Sequence, residues 1–499
     1  MAGRQVSYQL LVDWDDSGNF SFDESNYLTT ATGDESMSAP GESSFGSDGY
    51  ISQANITLLN TGARFTCTNS SSAIYDYIKD GLFYQKKMKL SVTLNGSSHT
   101  IFRGYIKGIK EDFRNSEKGG TVVLTCRSLD DVEKNKAVST TVGITYNYYV
   151  ENQDEGTIIA KILELAGLTD NVDYRSQAYG SPTIDRGLFS IPYFWMDKES
   201  PLEDAYMLAI ACGGRFYYNT EDGLFYYRNA FEFATGVGGT SQGTLDESNC
   251  NLFSYDANDE ELFESVSITA RPRYITEIKE IWRNDDIVKL NPGEVKIVEA
   301  KLNQPLIEYK NVSFITTTTA GLPLSGVTSS VAAYSQRLII TLTNSTAYLV
   351  YLRDFYATGR LLEALDNIEY STSSGDSYWS GRDGKEKKIT ANAYVQSWAQ
   401  AKAIADILVD RQGTFSPGLS VKQYKGNGFL RVGDRVTVNI TGRISSGSYI
   451  ITKQSWSLTA QGFSQDFEMY NATGIYGLAI DGYFVIGTHS QNSAKKFFY

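Results

Sequence analysis

The chain has 499 residues, with 45 Lys+Arg against 58 Asp+Glu and a net charge of −13. Broad binding to phosphate backbones takes a basic surplus, so that class is disfavoured. The two histidines, His99 and His489, are far apart in sequence, which weakens any reading that needs a His pair, such as HExxH zinc hydrolysis. Cys67, Cys126, Cys212 and Cys250 are widely spaced with no CxxC, so they read as reduced core residues. No apolar run approaches the roughly 20 residues that cross a bilayer. The first residues lack the apolar stretch of a secretory signal. The 44 Gly, 34 Tyr, 24 Phe and abundant Ser and Thr point instead to pleated, half-buried surfaces and a β-rich, multidomain chain.

Residues 1–150 read as strands. Residues 6–14 lead into the turn Asp15-Asp16-Ser17-Gly18, and 33–48 read as a long polar loop. Residues 51–59 alternate. Residues 88–94 carry Met88, Leu90, Val92 and Leu94 on one face, and Asn95-Gly96 then turns into 100–109, a strong hairpin signal. A further strand follows at 121–127. The period then changes: Ile158, Ile159, Ile162, Leu163 and Leu165 recur at helical spacing up to Gly167. Ser200-Pro201-Leu202-Glu203 is a capping box that opens a second helix ending at Gly213-Gly214, and a hairpin turns at Glu221-Asp222-Gly223. From about 255 the strand pattern returns, with a Thr/Ser/Gly-rich loop expected at 316–331. Ser397-Trp398-Ala399-Gln400 caps one more helix, and four strands close the chain. No period of 20–50 residues repeats, which disfavours solenoids and propellers.

The sharpest local motif runs from Asp13 to Glu24. Asp13, Asp15 and Ser17, the Asn19 carbonyl and Glu24 match the spacing of a calcium loop, in which oxygens converge from one tight turn. A strand rather than a helix leads in, which favours the plainer reading of a solvated turn. If metal binds, Ca²⁺ is the ion and these five residues its ligands; no other cofactor is expected. Residues 236–239 (Gly-Val-Gly-Gly) lack the GxGxxG spacing and read as a loop. No GxSxG occurs, so a Ser-His-Asp triad is a poor fit. The acid pairs Asp130-Asp131 and Asp285-Asp286 read as solvated turns rather than a glycosidase pair. The tyrosines at 146, 148, 149, 217, 218, 226 and 227 suit sheet faces and interfaces more than sugar stacking.

The order of these features resembles tail-tip or baseplate hub proteins of tailed bacteriophages and related tail-like machines. Val12-Asp13-Trp14 through Phe20, then Leu28-Thr29-Thr30, is similar to the family's opening strand and turn. Ile56-Thr57-Leu58-Leu59-Asn60, then Ile101-Phe102-Arg103-Gly104-Tyr105-Ile106, then 122–130, follow in the family's order. Gly214-Arg215-Phe216-Tyr217 and Asp222-Gly223-Leu224-Phe225 resemble its central hairpin. Leu430-Arg431-Val432-Gly433-Asp434-Arg435-Val436 resembles the Leu-x-x-Gly-Asp-x-Val strand of its second barrel. Tyr378-Trp379-Ser380-Gly381-Arg382 matches the family's Tyr-Gly-x-Arg segment only loosely.

The resemblance implies a mainly β fold with an α+β insertion: two tail-tube-like β-barrel domains plus a small α+β domain. The expected boundaries are 1–150 (first barrel), 151–254 (α+β), 255–470 (second barrel, with an insertion at about 300–365 and a helix at about 397–412) and 471–499 (C-terminal arm). It implies a structural, non-enzymatic virion protein of the tail tip or baseplate, assembled in the host bacterial cytoplasm. Three copies would form a ring with pseudo-sixfold inner symmetry. The distal tail or tail-tube protein would lie above it and a tip, fibre or tape-measure protein below. DNA would pass without sequence-specific binding, past a lumen that acidity would suit. The alternatives are a receptor- or glycan-binding tail protein and a cell-wall hydrolase.

Overall fold

The computed structural model describes residues 5–36, 51–112, 120–128, 149–196, 201–230, 240–256, 262–375, 379–380, 383–390, 393–412, 418–426 and 429–471. The expected loop at 236–239, the acid pair Asp130-Asp131, Tyr146, Tyr148 and the arm beyond Asn471 lie outside them. The fold is mainly β, as expected. Among the described residues no helix is long and apolar enough to cross a membrane.

The first strands are β1 (Val6–Asp13), β2 (Phe22–Asp23), β3 (Leu28–Ser36), β4 (Ile51–Asn60), β5 (Lys87–Leu94), β6 (Ser97–Asp112) and β7 (Gly120–Arg127). They pair in the order β3-β4-β7-β6-β5-β1-β2, every pair antiparallel. Alternation decides which face turns inward: Leu10, Val12, Ile56, Leu58, Met88, Leu90, Val92, Val122 and Leu124 close on one core around Trp14 and Phe102. The β5–β6 hairpin turns at Asn95 (φ 49°) and Gly96 (φ 90°), the double left-handed geometry that suits the twist of paired strands.

A mixed region follows: β8 (Tyr149–Asp154), α1 (Glu155–Leu165), β9 (Ser190–Trp195), α2 (Pro201–Ala211), and the hairpin β10 (Arg215–Asn219) with β11 (Leu224–Arg228). Asp154 caps α1 by accepting from the Thr157 amide, and Gly167 at φ 82° ends it. The Glu155 side chain, fully buried at the start of α1, accepts from the amides of Leu188 (2.6 Å) and Phe189 (3.0 Å) and from the Tyr227 hydroxyl (3.2 Å). Burial outweighs the backbone amides of Leu188, Phe189 and Glu155 itself and pushes its carboxyl up to about 7 from an ordinary 4.5. A carboxyl raised on folding stabilises the fold in its protonated form. Its contribution is therefore complete below pH 4.5 and is lost as pH rises through 7. The unfolding midpoint is expected to fall across that window, and the fall should shrink in Glu155→Gln, as thermal melts against pH will read.

Next come β12 (Gly243–Asp246), β13 (Leu252–Asp256) and β14 (Ser265–Ala270). Eight strands then form a separate small β unit: β15 (Arg273–Ile275), β16 (Lys279–Asn284), β17 (Val288–Leu290), β18 (Val295–Lys301), β19 (Leu306–Thr317), β20 (Val327–Ala333), β21 (Arg337–Asn344) and β22 (Val350–Ala364). Its own core holds Leu290, Leu306, Leu338, Ile340, Leu342, Leu352 and Phe355. The loop expected at 316–331 is partly strand. Val327–Ala333 pairs with β21 along its whole length, because Val, Thr and Ser suit a pleated edge whatever their polarity.

The last described elements are β23 (Ile368–Ser373), β24 (Glu386–Thr390), α3 (Trp398–Gln412), β25 (Gly418–Tyr424), β26 (Arg435–Ile440), β27 (Ile444–Thr459) and β28 (Gly462–Asn471). The capping reading of α3 is visible as the Gln400 amide donating to Ser397 Oγ at 3.1 Å. The helix is not part of the second barrel, however. Ala401, Ile404, Ala405 and Leu408 pack on Val266 and Ile268 of β14 and share one core with α1 and α2. The sheet β23-β14-β24 otherwise has an uncovered apolar face, and α3 is what covers it.

Candidate functional site: a polar face across two repeated modules

Strands β26, β27, β28, β25 and β13 lie side by side in that order, and β12 adds to β26 in parallel. Chain order and spatial order match the first region strand for strand: β5-β6-β7-β4-β3 corresponds to β26-β27-β28-β25-β13, with every neighbouring pair antiparallel in both. The central strands, β6 and β27, are both 16 residues long. β6 bulges against β7 between Ile106 and Gly108, and β27 bulges against β28 between Ile451 and Lys453. Just before β5, the Gln85 amide donates to the Ile106 carbonyl; just before β26, the Gly433 amide donates to the Ile451 carbonyl. Both donors have positive φ, 65° and 91°. The chain thus carries one β module twice. The second has its own core of Leu245, Val421, Val436, Val438, Ile451, Phe467 and Met469.

The modules are joined edge to edge. β27 pairs with β26 through its first half and with β3 through Lys453–Leu458, making one 13-stranded sheet. Gly33 lies opposite Trp456, where a Cβ would sit 2.2 Å from the indole, so only glycine lets the strands close there. Two residues along and on the same face, Glu35 is buried. Its Oε1 accepts from the Thr220 hydroxyl at 2.6 Å and its Oε2 from Gln454 Nε2 at 2.8 Å. Gln465 Nε2 then donates to Gln454 Oε1 (3.2 Å) and to the Leu430 carbonyl (2.7 Å). Thr220 belongs to the β10–β11 turn, so the mixed region is tied into the same seam. Arg431 adds three links, to the Thr100 carbonyl (2.7 Å), Asn219 Oδ1 (3.0 Å) and Glu221 Oε2 (3.0 Å), and Arg103 donates to the Asp222 carbonyl. Buried polar groups paired across strands in this way favour one register over the others.

The face turned away from both cores is continuous across the seam. Cross-strand registers give one row of Asp466, Ser455, Asp34, Gln53, Arg127 and Tyr105, and the next of Ser464, Ser457, Thr32, Asn55, Thr125 and Gly108. The flanking rows bring Ser420, Glu468, Lys453 and Ser36 on one side and Thr30, Thr57, Val123 and Lys110 on the other. Charges are mixed: Asp34, Asp466 and Glu468 against Lys453, Arg127 and Lys110. The face is close to neutral and rich in hydroxyls and amides. Most of its groups are small and polar, Tyr105 at one end packs against the core of the mixed region, and no strong field of one sign results.

The calcium-loop residues are only partly gathered. Asp13 accepts from Ser17 Oγ (3.2 Å) and the Gly18 amide (2.9 Å), and Asp15 accepts from the Ser17 amide (3.3 Å) and from the Ser21 hydroxyl. The Asn19 amide donates to Ser17 Oγ (3.3 Å). Glu24 points elsewhere. Buried, it accepts from Trp14 Nε1 (3.0 Å) and both Nε and Nη2 of Arg64 (2.9 and 2.8 Å). Among the described residues no three His, Cys, Asp or Glu side chains are grouped to hold a metal. Removing Arg64 strands a buried charge. Arg64→Ala is therefore expected to cost about 3 kcal/mol in urea unfolding, with Glu24→Gln/Arg64→Ala recovering part of it.

The sequence reading did not single out Gly33, Glu35, Thr220, Gln454 or Gln465. One signal was available: Gln454 and Gln465 occupy inward phases of strands whose other inward residues are Trp456, Leu458, Phe463 and Phe467.

No family model matches the sequence, and no curated protein matches it. Solved structures of phage tail and tail-like proteins are similar to the chain. A tail protein from Neisseria meningitidis is 8% identical with a TM-score of 0.49, covering 94% of this chain and 98% of its own. The 43 kDa tail protein of prophage MuSo2 from Shewanella oneidensis is 11% identical with a TM-score of 0.47, covering 94% and 99%. The E. coli c3393 protein, a type VI secretion component described as similar to phage T4 tail proteins gp27 and gp5, is 10% identical with a TM-score of 0.38, covering 93% and 76%.

Proposed function

We propose that this chain is a structural subunit of a phage-type tail, a hub whose copies form a ring around a conduit. The observation that carries the reading is the duplicated β module joined edge to edge in one sheet. A chain that repeats a wall element and links the copies by strand pairing is built to continue a curved wall. The continuous polar face supports the same reading. Small hydrated groups of balanced charge let a polyanion pass without holding it, and a wall needs no catalytic base. Three copies would place six modules around the axis, matching a sixfold tube to a threefold tip. The tube or distal tail protein would dock above and a tip, fibre or tape-measure protein below, in the virion, after assembly in the host cytoplasm. The role is structural rather than enzymatic.

Sedimentation of the purified protein, alone and with its neighbouring tail proteins, tests this. A species at three times the chain mass is expected. A monomer under all these conditions would overturn the ring.

A further inference from the structure

The repeat is asymmetric in one respect, and the asymmetry identifies a surface. In the first module the outermost strand β3 is paired on both sides, by β4 and by β27. Its counterpart β13 is paired only by β25, so its other edge has no strand on it among the described residues. Tyr255 lies opposite Leu419, a core residue, and so projects to the core side of the sheet, yet it remains 56% exposed. Leu252, on the opposite face, is 52% exposed. Exposed edge strands are ordinarily guarded by Lys, Pro or a bulge; residues 252–256, Leu-Phe-Ser-Tyr-Asp, carry neither Lys nor Pro, and their pairing with β25 is regular.

The acceptor edge is defined by the same correspondence. β27 receives β3 on the stretch that runs past the start of β26. β6 likewise runs past the start of β5, which begins at Lys87 opposite Tyr105, so among the described residues Gly108–Asp112 are paired by β7 alone. The two bulges align Gly108 with Lys453, and hence Glu111 with Trp456 and Asp112 with Ser457. Through β7/β28 and β4/β25, Gly33 aligns with Tyr255 and Thr32 with Ser254.

We infer that β13 of one copy pairs antiparallel with residues 108–112 of β6 in a second copy of this chain. The register sets Tyr255 opposite Glu111 and Ser254 opposite Asp112, and so repeats between chains the seam that β3 and β27 make within one. This rests on the ring reading and names its contact. The contact is heterologous, head to tail, and closes into a ring rather than a two-fold dimer. It covers Tyr255 and leaves no strand edge bare at either site.

Paired cysteines test it. Directly opposed residues of an antiparallel pair have Cα atoms about 4.5–5.5 Å apart, within disulfide reach. Ser254→Cys/Asp112→Cys should give chain-to-chain disulfides on mild oxidation, climbing to a covalent ring. Neither single variant should do so beyond the native background, and Thr32→Cys/Ser457→Cys should close within one chain. Leu252→Lys/Tyr255→Lys, on exposed side chains, should abolish rings while leaving the melting temperature within about 2 °C of wild type. Rings seen by imaging without cross-linking of the double cysteine variant, or rings surviving the double lysine variant, would overturn this pairing and leave the ring reading standing. No rings from the wild type would sink both.

Discussion

Gly33→Val is expected to open the seam between the two modules and to be among the most damaging single substitutions in the chain. A Cβ at this position would stand 2.2 Å from Cζ2 and 2.4 Å from Cε2 of Trp456, and a rigid buried indole cannot yield by that amount. Overpacking of this kind costs about 3 kcal/mol, and the strain falls on the strand pair that joins β3 to β27. Urea unfolding should show the loss. Gly33→Val/Trp456→Ala should restore part of it, because removing the ring makes the room that the valine needs. A Gly33→Val protein as stable as wild type would mean that the seam tolerates separation, and that the modules are not held in one sheet.

The second large effect concerns Glu35. Its oxygens accept from Thr220 on the central hairpin and Gln454 on β27, and Ser52 Oγ approaches at 3.5 Å. Glu35→Ala leaves Thr220 and Gln454, both fully buried, without that acceptor and opens a small void. The expected cost is about 2–4 kcal/mol. Glu35→Gln keeps the shape and one acceptor and should cost less than half as much. Hydrogen exchange separates a local effect from a global one. Amides of residues 31–36 and 453–458 should lose protection in Glu35→Ala before those of the first core, such as Leu90 and Val92. Uniform loss of protection would mean that the network has no special role at the seam.

Much of the architecture was legible because it rests on local physics. Met88, Leu90, Val92 and Leu94 alternate, Asn95-Gly96 turns, and β5 with β6 follows. Ile158, Ile159, Ile162 and Leu163 recur at helical spacing, and α1 follows, ended by Gly167. The site was not legible in the same way, since its residues lie far apart in sequence. Nothing near Glu35 announces Thr220 or Gln454, and Gly33 reads as a loop glycine until Trp456 is laid across it. A second β domain was expected from the resemblance at 255–470, but that it repeats the first strand for strand was not legible, for a different reason. Its first strand, β13, is separated from the rest by the small β unit and by α3, so the repeat exists in strand order and register rather than in sequence period. The misplaced helix has the same origin: α3 precedes β25 in the chain, but the apolar face that needs it belongs to β14. At Asp13–Glu24 the spacing was right for a cation loop, but Arg64, 40 residues beyond Glu24, takes the carboxylate that the loop would need.

The central claim is that the shared outer face of the two modules lines a channel. Asn55 lies on that face, exposed, beside Thr32 and Thr125. The most direct test is end-on electron microscopy of rings assembled from Asn55→Cys protein carrying a maleimide gold cluster. Six lobes of density around a central hole, with gold at its inner wall, is the predicted result. Gold on the outer rim of such rings would contradict the account.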